Sequence, residues 1–352
     1  MIVLDGTSGI TSPTYGGTVA SEYSVPVTSF KNRIINGGMV IDQRNAGTSV
    51  TITANPQYTL DRWFAGVTNA SKISVQQNSG AVTPPAGFIK YLGAVSLLAT
   101  TPASSDVYYL EQIIEGYNIA DLGFGAAGAS TITISFWVRS SLTGTFGAAI
   151  ANGGGNRSYP FNYTISSANT WTQITQTITG DTTGTWSTDN GVGLRLRFGL
   201  GAGSTNQGTA GAWGTTNAVT TTTAINVVGT SGATFYITGV QLEKGSVATS
   251  FDQRAYSQEL AMCQRYCQTW ASGEIDFIGS NAVAGNNNTF VTPLKATFRA
   301  SPTWASTTFT MVNGTISTFT LTPNSFSFNV SNTSAGQWRA TSTTLGILSA
   351  EL

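Results

Sequence analysis

Histidine is missing from this sequence altogether. Without imidazole there is no Ser-His-Asp triad, no Cys-His dyad and no histidine metal site. Charge is scarce as well. Asp, Glu, Lys and Arg make up 9% of the 352 residues, where a globular domain carries about 25%. The 16 cationic and 16 acidic residues cancel, which leaves no electrostatic basis for binding nucleic acid or an anionic membrane. No apolar run approaches the ~20 residues that span a bilayer, so no membrane insertion is expected. Met1 to Ile10 has neither a basic flank nor a long apolar stretch, so no secretory signal is expected. Two cysteines, Cys263 and Cys267, are too few for a disulfide framework, and their spacing along a helix disfavours a mutual bridge.

What remains is Ser, Thr, Asn, Gln and 40 glycines around a 40% apolar content. Gly and β-branched residues are poor helix formers and suit strands joined by turns. An all-β fold is therefore expected, an antiparallel β-sandwich or jelly roll, followed by one helix and a small β tip domain.

Residues 1–30 are punctuated by Gly and Pro and carry no sustained amphipathic period. They read either as a poorly ordered terminus or as an arm that docks on a partner. Residues 31–250 read as one large β domain. Ile132, Ile134, Phe136 and Val138 alternate with polar neighbours, as do Leu194, Leu196 and Phe198 with Arg195 and Arg197. Asn190-Gly191 predicts a hairpin turn. Val50–Ala54, Lys72–Gln77, Tyr108–Ile114, Trp171–Ile178 and Thr234–Leu242 are further strand candidates. The Gly/Thr-rich stretch 199–224, with Trp213 in it, reads as a long loop, and such loops are commonly functional.

Residues 251–271 read as an amphipathic helix. Tyr256, Leu260, Cys263, Cys267 and Trp270 follow a 4-3-4-3 spacing, with Asp252 as N-cap and Gly273 as C-terminal stop. The seam either packs on its own domain or meets symmetry copies. Buried, inert thiols are the expected state of both cysteines. Residues 272–352 return to β, with Asn313-Gly314 predicting a hairpin between 307–312 and 315–321.

At Lys31-Asn32-Arg33-Ile34-Ile35-Asn36-Gly37-Gly38-Met39 through Gly47, with Tyr58-Thr59-Leu60-Asp61-Arg62-Trp63-Phe64, the sequence resembles a recurring module of bacteriophage tail fibre and related virion appendage proteins. Leu4-Asp5-Gly6-Thr7, Gly239-Val240-Gln241-Leu242-Glu243-Lys244-Gly245, Ser250-Phe251-Asp252-Gln253-Arg254 and Glu259 to Tyr266 carry the same resemblance. Trp171 to Ile178, with Gly180 to Trp186, is similar to the galactose-binding-like jelly rolls of carbohydrate-binding modules. The resemblance implies a virion-attached receptor-binding protein, made in the host cytoplasm and docked on other virion tail or capsid proteins through residues 1–30. It implies a homotrimer that binds host surface polysaccharide, with a calcium ion as a recurring brace of the fold.

Aromatic faces stack on the apolar side of a sugar while amides and hydroxyls bond its OH groups. Trp213 is the first glycan-binding candidate. Tyr159 and Tyr163, with Asn156 and Arg157, are the second group. Trp63, Trp137 and Trp171 are assigned to the core. Asp61 and Glu243 are candidate calcium ligands; otherwise no cofactor is expected. A glycosidase needs paired carboxylates, and Glu111/Glu115, Asp181/Asp189 and Glu274/Asp276 are close in sequence without a motif around them. No catalytic residue is therefore assigned and the chain is expected not to be an enzyme. The alternatives are a capsid-decorating or collar fibre without sugar binding, and a carboxylate-based polysaccharide depolymerase.

Overall fold

The computed structural model describes residues 31–352, apart from Ala282, Asn286 and Thr307. Before them it describes two short paired strands, β1 (Val3–Asp5) and β2 (Gly9–Thr11). The docking role expected of residues 1–30 lies otherwise outside the described residues.

The chain then runs β3 (Val50–Thr51), β4 (Gln57–Leu60), β5 (Trp63–Val67), β6 (Ile73–Gln77), β7 (Leu92–Ser96) and β8 (Val107–Glu115). It continues with β9 (Ile132–Ser140), β10 (Gly144–Asn152), β11 (Ser158–Ile165), β12 (Thr172–Ile178), β13 (Val192–Ala202), β14 (Gln207–Gly208), β15 (Thr220–Thr221) and β16 (Thr234–Lys244). Two six-stranded sheets result, in the orders β11-β10-β13-β8-β5-β4 and β12-β9-β16-β7-β6-β3. Their pairings are all antiparallel. Alternation sets which side chains turn inward. Ile134, Phe136, Phe146, Leu196, Phe198, Phe235 and Trp63 meet between the sheets and are fully buried.

This is the all-β, antiparallel sandwich that the period-2 patterns predict, with differences at its corners. Asn190-Gly191 does not close a hairpin. Strands β12 and β13 lie in different sheets, and Gly116 N and Tyr117 N bond the carbonyls of Gly191 and Asp189. Trp63 is core, as assigned, but Trp137 and Trp171 are half-buried. Trp137 sits on β9 out of phase with the inward-facing Phe136 and Val138. Trp171 precedes β12 and donates its indole N–H to Thr83 O (2.9 Å).

The helix is shorter than its seam. α1 covers Tyr256–Gln264, with Ala255 at the N-cap and no capping side chain, so Asp252 and Gly273 do not bound it. Cys267 and Trp270 lie instead on β17 (Cys267–Trp270). There Gly346–Ser349 supplies antiparallel backbone partners, and Trp270 joins the C-terminal aromatic core. Tertiary pairing thus overrides the helical spacing of residues 267–270. Tyr256 is 64% exposed, whereas Cys263 packs with Ile35, Ile41 and Tyr266, and Leu260 lies partly buried against them. Burial pushes both thiols well above their ordinary range.

The C-terminal unit adds β18 (Asp276–Asn281), β19 (Asn287–Pro293), β20 (Thr303–Ser306), β21 (Phe309–Val312), β22 (Gly314–Leu321), β23 (Ser325–Asn332), β24 (Gly336–Ser342) and β25 (Gly346–Ser349). They form three-stranded sheets, β17-β25-β20, β18-β24-β21 and β19-β23-β22. Asn313-Gly314 is therefore a corner between two sheets, with Asn313 at φ 54°. The β22–β23 pairing makes the hairpin instead.

This unit is tied to the sandwich by buried charge. Arg62, 1% exposed, pairs with Glu351, bonds Ile113 O and lies 3.5 Å over the Tyr266 ring. Arg44 reaches the other Glu351 oxygen (2.6 Å). Removing one partner of a buried pair costs about 3–5 kcal/mol. Glu351→Gln should therefore lower unfolding free energy by that order in chemical denaturation, with hydrogen exchange quickening first in β17 and β25. A change within about 0.5 kcal/mol would contradict this account.

Candidate functional site

The loops at one rim of the sandwich gather polar and aromatic side chains from four segments: β10–β11, β12–β13, β14–β15 and the turn around Phe124. Trp213 sits between β14 and β15, half-buried rather than freely exposed. Its indole N–H donates to Thr179 O (2.8 Å). Its ring meets Tyr159 (5.4 Å), Trp186 (5.6 Å) and Phe124 (6.0 Å) edge to face. Ser158 and Gly214 exchange backbone hydrogen bonds of 2.9 and 2.8 Å, and Ser158 Oγ donates to Thr216 O (2.6 Å). These contacts hold the long Gly/Thr loop against the sheet edge.

Beside the rings opens a shallow cleft of about 370 Å³, lined by Asn152, Gly153, Gly154, Asn156, Thr185, Ser187 and Val192. Asn152 organises it. Its Nδ2 donates to Asn156 Oδ1 (2.7 Å) and Thr185 O (2.9 Å), and its Oδ1 accepts the N–H groups of Asn156 and Arg157. Asn156 Oδ1 is thereby oriented, which directs its amide donors away from Asn152.

Arg157 does not offer a free cation. It makes a two-pronged pair with Asp181, both contacts 2.7 Å. Burial works to raise the Asp181 carboxyl, but the Arg157 hydrogen bonds and the Thr183 N–H and hydroxyl outweigh it and hold the group below its usual range. The Arg157 stem crosses Gly184, where a Cβ would come within 2.4 Å of Arg157 Cγ; at φ +80° only glycine suits that position.

Four of the five glycan candidates thus meet at this rim. Tyr163 does not. It is 5% exposed and stacks on Phe146 (5.8 Å) inside the sandwich, and burial pushes its hydroxyl well up. The cause is register: Tyr159, Phe161 and Tyr163 face Ile150, Ala148 and Phe146 across β10–β11, and only Tyr159 lies at the rim. The alternation was visible in the sequence. Trp186, Phe124, Asn152, Thr185 and Ser187 were not singled out, because nothing local marks loops that meet only in the folded chain.

The calcium candidates are not brought into one site. Both Asp61 oxygens accept from Gln43, through its backbone N–H (2.7 Å) and its amide (2.8 Å). Glu243 is taken by Thr249 N–H and hydroxyl, 2.7 Å each. Among the described residues no three His, Cys, Asp or Glu groups come together for a metal. These residues do not fit a calcium ion.

The carboxylate pairs are likewise engaged. Glu111 is held by Arg195 and Arg197, Glu115 by Arg265 and Tyr266, Glu274 by Lys295 and Asp276 by Arg339. Hydrogen bonds from Ser187 and Gly191 lower Asp189, and those from Arg339 and Thr341 take Asp276 down to about 2. A glycosidic general acid needs the opposite shift.

No protein-family model matches this sequence, and no curated protein does. Among solved structures the chain is similar to the enzymatically active domain of bacteriophage CBA120 tailspike protein 4, at 12% identity and a TM-score of 0.33. That match covers 61% of this chain and spans 21% of the tailspike chain. It is similar also to TmCBM61 in complex with β-1,4-galactotriose (11% identity, TM-score 0.28, 52% of this chain and 88% of that one). The CBM22-1 xylan-binding domain of Paenibacillus barcinonensis Xyn10C follows at 10% identity and a TM-score of 0.28, covering 58% of this chain and 99% of that one.

Asp61 carries a pH prediction. Burial pushes its carboxyl from 3.8 up to about 6, against the pull of Arg44 and the Gln43 hydrogen bonds. The folded chain then holds this proton more tightly than the unfolded chain. The stability it contributes is full below pH 3.8 and is lost as pH rises through about 6. Denaturation between pH 4 and 6.5 should show a loss on the order of 2 kcal/mol from this group. Asp61→Asn should flatten that slope, at a fixed cost in stability, because a Gln43 amide turned over to meet the new Nδ2 gives up its bond to Cys267 O (3.0 Å).

Proposed function

We propose that this chain is a non-enzymatic adhesion protein of a bacteriophage virion, a tail-fibre or other appendage protein that binds host surface glycans at the sandwich rim. One observation carries the glycan part: a partly buried Trp213 held by three neighbouring rings, one of which, Trp186, stands between Thr185 and Ser187 of a cleft lined by amides, hydroxyls and glycine backbone. A sugar needs that pairing, an aromatic face for its C–H side and fixed amide and hydroxyl partners for its OH groups. The ring cluster and the Asn152 network hold both in place before a ligand arrives, which limits the ordering cost of binding.

The virion part rests on the sequence resemblance at residues 31–64 and 239–266, as do attachment through residues 1–30 and assembly as a homotrimer. Three linked chains would raise the avidity of a weak single site. The role is non-catalytic in this reading, since the rim's carboxylates are paired or hydrogen-bonded and lowered.

A glycan array probed with the full chain tests the reading. Binding to surface polysaccharide fragments is expected, weakened roughly ten- to hundredfold by Trp213→Ala, since one stacked aromatic contributes about 1–3 kcal/mol. Asn156→Ala should weaken it less. Binding untouched by both substitutions would move the site elsewhere, and no binding to any glycan would favour a spacer fibre. Native mass spectrometry at micromolar concentration should return three chains; a stable monomer would remove the homotrimer.

A further inference from the structure

Strand β13 leaves the cleft at Val192 and carries Arg195 and Arg197 on the outer face of its sheet. Both converge on Glu111 of the neighbouring β8. Arg195 Nη1 donates to Glu111 Oε1 (2.9 Å) and Arg197 Nε to Oε2 (3.3 Å). Glu111 is completely buried, and among the described residues it is the one carboxylate in ion-pair contact with either arginine. Two cations therefore share one anion, which leaves one positive charge over.

The two arginines are not equivalent. Arg197 is buried, and its Nη1 is also committed to Asn217 Oδ1 (2.6 Å) and Ala218 O (3.2 Å). Arg195 is 23% exposed and, among the described residues, makes a single hydrogen bond, so four of its five N–H donors have no partner there. Its cross-strand neighbours are Ala151 on β10 and Ile113 on β8; Ala151 is too small to cover a guanidinium, and Asn152, the next residue, turns its side chain to the other face to organise the cleft at the strand end. Val192, which lines the cleft, lies three residues back along the same strand, about 10 Å. The excess charge and its free donors thus lie about 10 Å along β13 from the polar cleft, within reach of the next sugar of a chain.

We propose, resting on the glycan reading above, that the site takes an acidic polysaccharide and that Arg195 receives the carboxylate of a uronic-acid-type sugar while the adjoining sugar lies in the Asn152–Asn156 cleft. Glu111 fixes one side of the guanidinium and leaves an edge with two parallel donors, the geometry that matches a carboxylate. Arg157, also at the rim, cannot serve, because Asp181 already occupies its fork. The chain's overall neutrality gives this local charge its use: it selects acidic sugars without attracting every anionic surface.

The test is a glycan array holding neutral glycans and uronic-acid glycans, each acidic glycan also present with its carboxyl groups reduced to alcohols. Wild type is expected to bind acidic glycans roughly tenfold or more above their reduced forms, the scale of a charge-assisted hydrogen-bond pair. Raising salt should shrink that difference. Arg195→Gln should abolish the preference while retaining the weaker binding of reduced forms. Arg195→Lys, which keeps the charge that balances Glu111, should retain part of it and guards against a folding failure of the first variant. Equal binding of acidic and reduced forms, or a preference that survives Arg195→Gln, would overturn the assignment and leave the glycan reading standing. Binding of no glycan at all would overturn both.

Discussion

The buried guanidinium of Arg62 is the contact on which the arrangement of this protein turns. It sits at a left-handed backbone position, φ 69°, at the turn between β4 and β5, and its head reaches three parts of the chain. It bonds the carbonyl of Ile113 on β8, pairs with Glu351 beyond β25, and lies on the face of Tyr266 at the end of the helix. Tyr266 passes the link on, donating its hydroxyl to Glu115 (2.6 Å), which Arg265 also grips. A buried charge without a partner is costly. A single seating of the C-terminal unit on the sandwich brings these charges to their partners together, although Arg62 Nε is buried without a hydrogen bond among the described residues. The small aromatic core of that unit, too slight to stand well alone, gains a fixed foundation.

The same economy of charge explains the surface. A chain with 32 charged residues of 352 places many of them inside, among them Arg33, Asp61, Arg62, Glu111, Glu115, Asp181, Arg197, Glu243 and Glu259. What faces solvent is left to hydroxyls, amides and glycine backbone. Such a surface discriminates by shape and hydrogen bonding rather than by long-range field, and the rim site is a local concentration of it. Trp213 is not a loosely displayed indole. It is one wall of a packed ring cluster, and that packing makes its orientation reliable.

Alternating patterns were read well from the sequence, and patterns that depend on the partner strand were not. Ile132 to Val138 and Leu194 to Phe198 announce half-buried strands because a side chain's face is a local property of extended backbone. Asn190-Gly191 and Asn313-Gly314 mark turns correctly but not hairpins, since a turn dipeptide does not say whether the chain re-enters the same sheet. Of the 4-3-4-3 seam, Tyr256 is exposed and only Leu260 and Cys263 pack as the spacing implies. Beyond Cys263, Cys267 to Trp270 found backbone partners in Gly346–Ser349, almost eighty residues away. Asp61 and Glu243 drew attention as ligands because carboxylates are rare here. Thr249 is a local partner of Glu243 and Gln43 a distant one of Asp61, and only the folded geometry shows both oxygens of each carboxylate accepting hydrogen bonds.

The amino-acid sequence alone therefore determined the fold class, the absence of imidazole chemistry, the zero net charge and the loop setting of Trp213. Each of these follows from composition or from the period of a single segment. Tertiary structure decided that Tyr163 is core, that the helix stops at Gln264, that Arg157 is spent on Asp181, and that Arg195 is left with one positive charge to offer. Those outcomes hinge on which distant segment supplies the hydrogen bond or counter-charge, and local pattern carries no record of that.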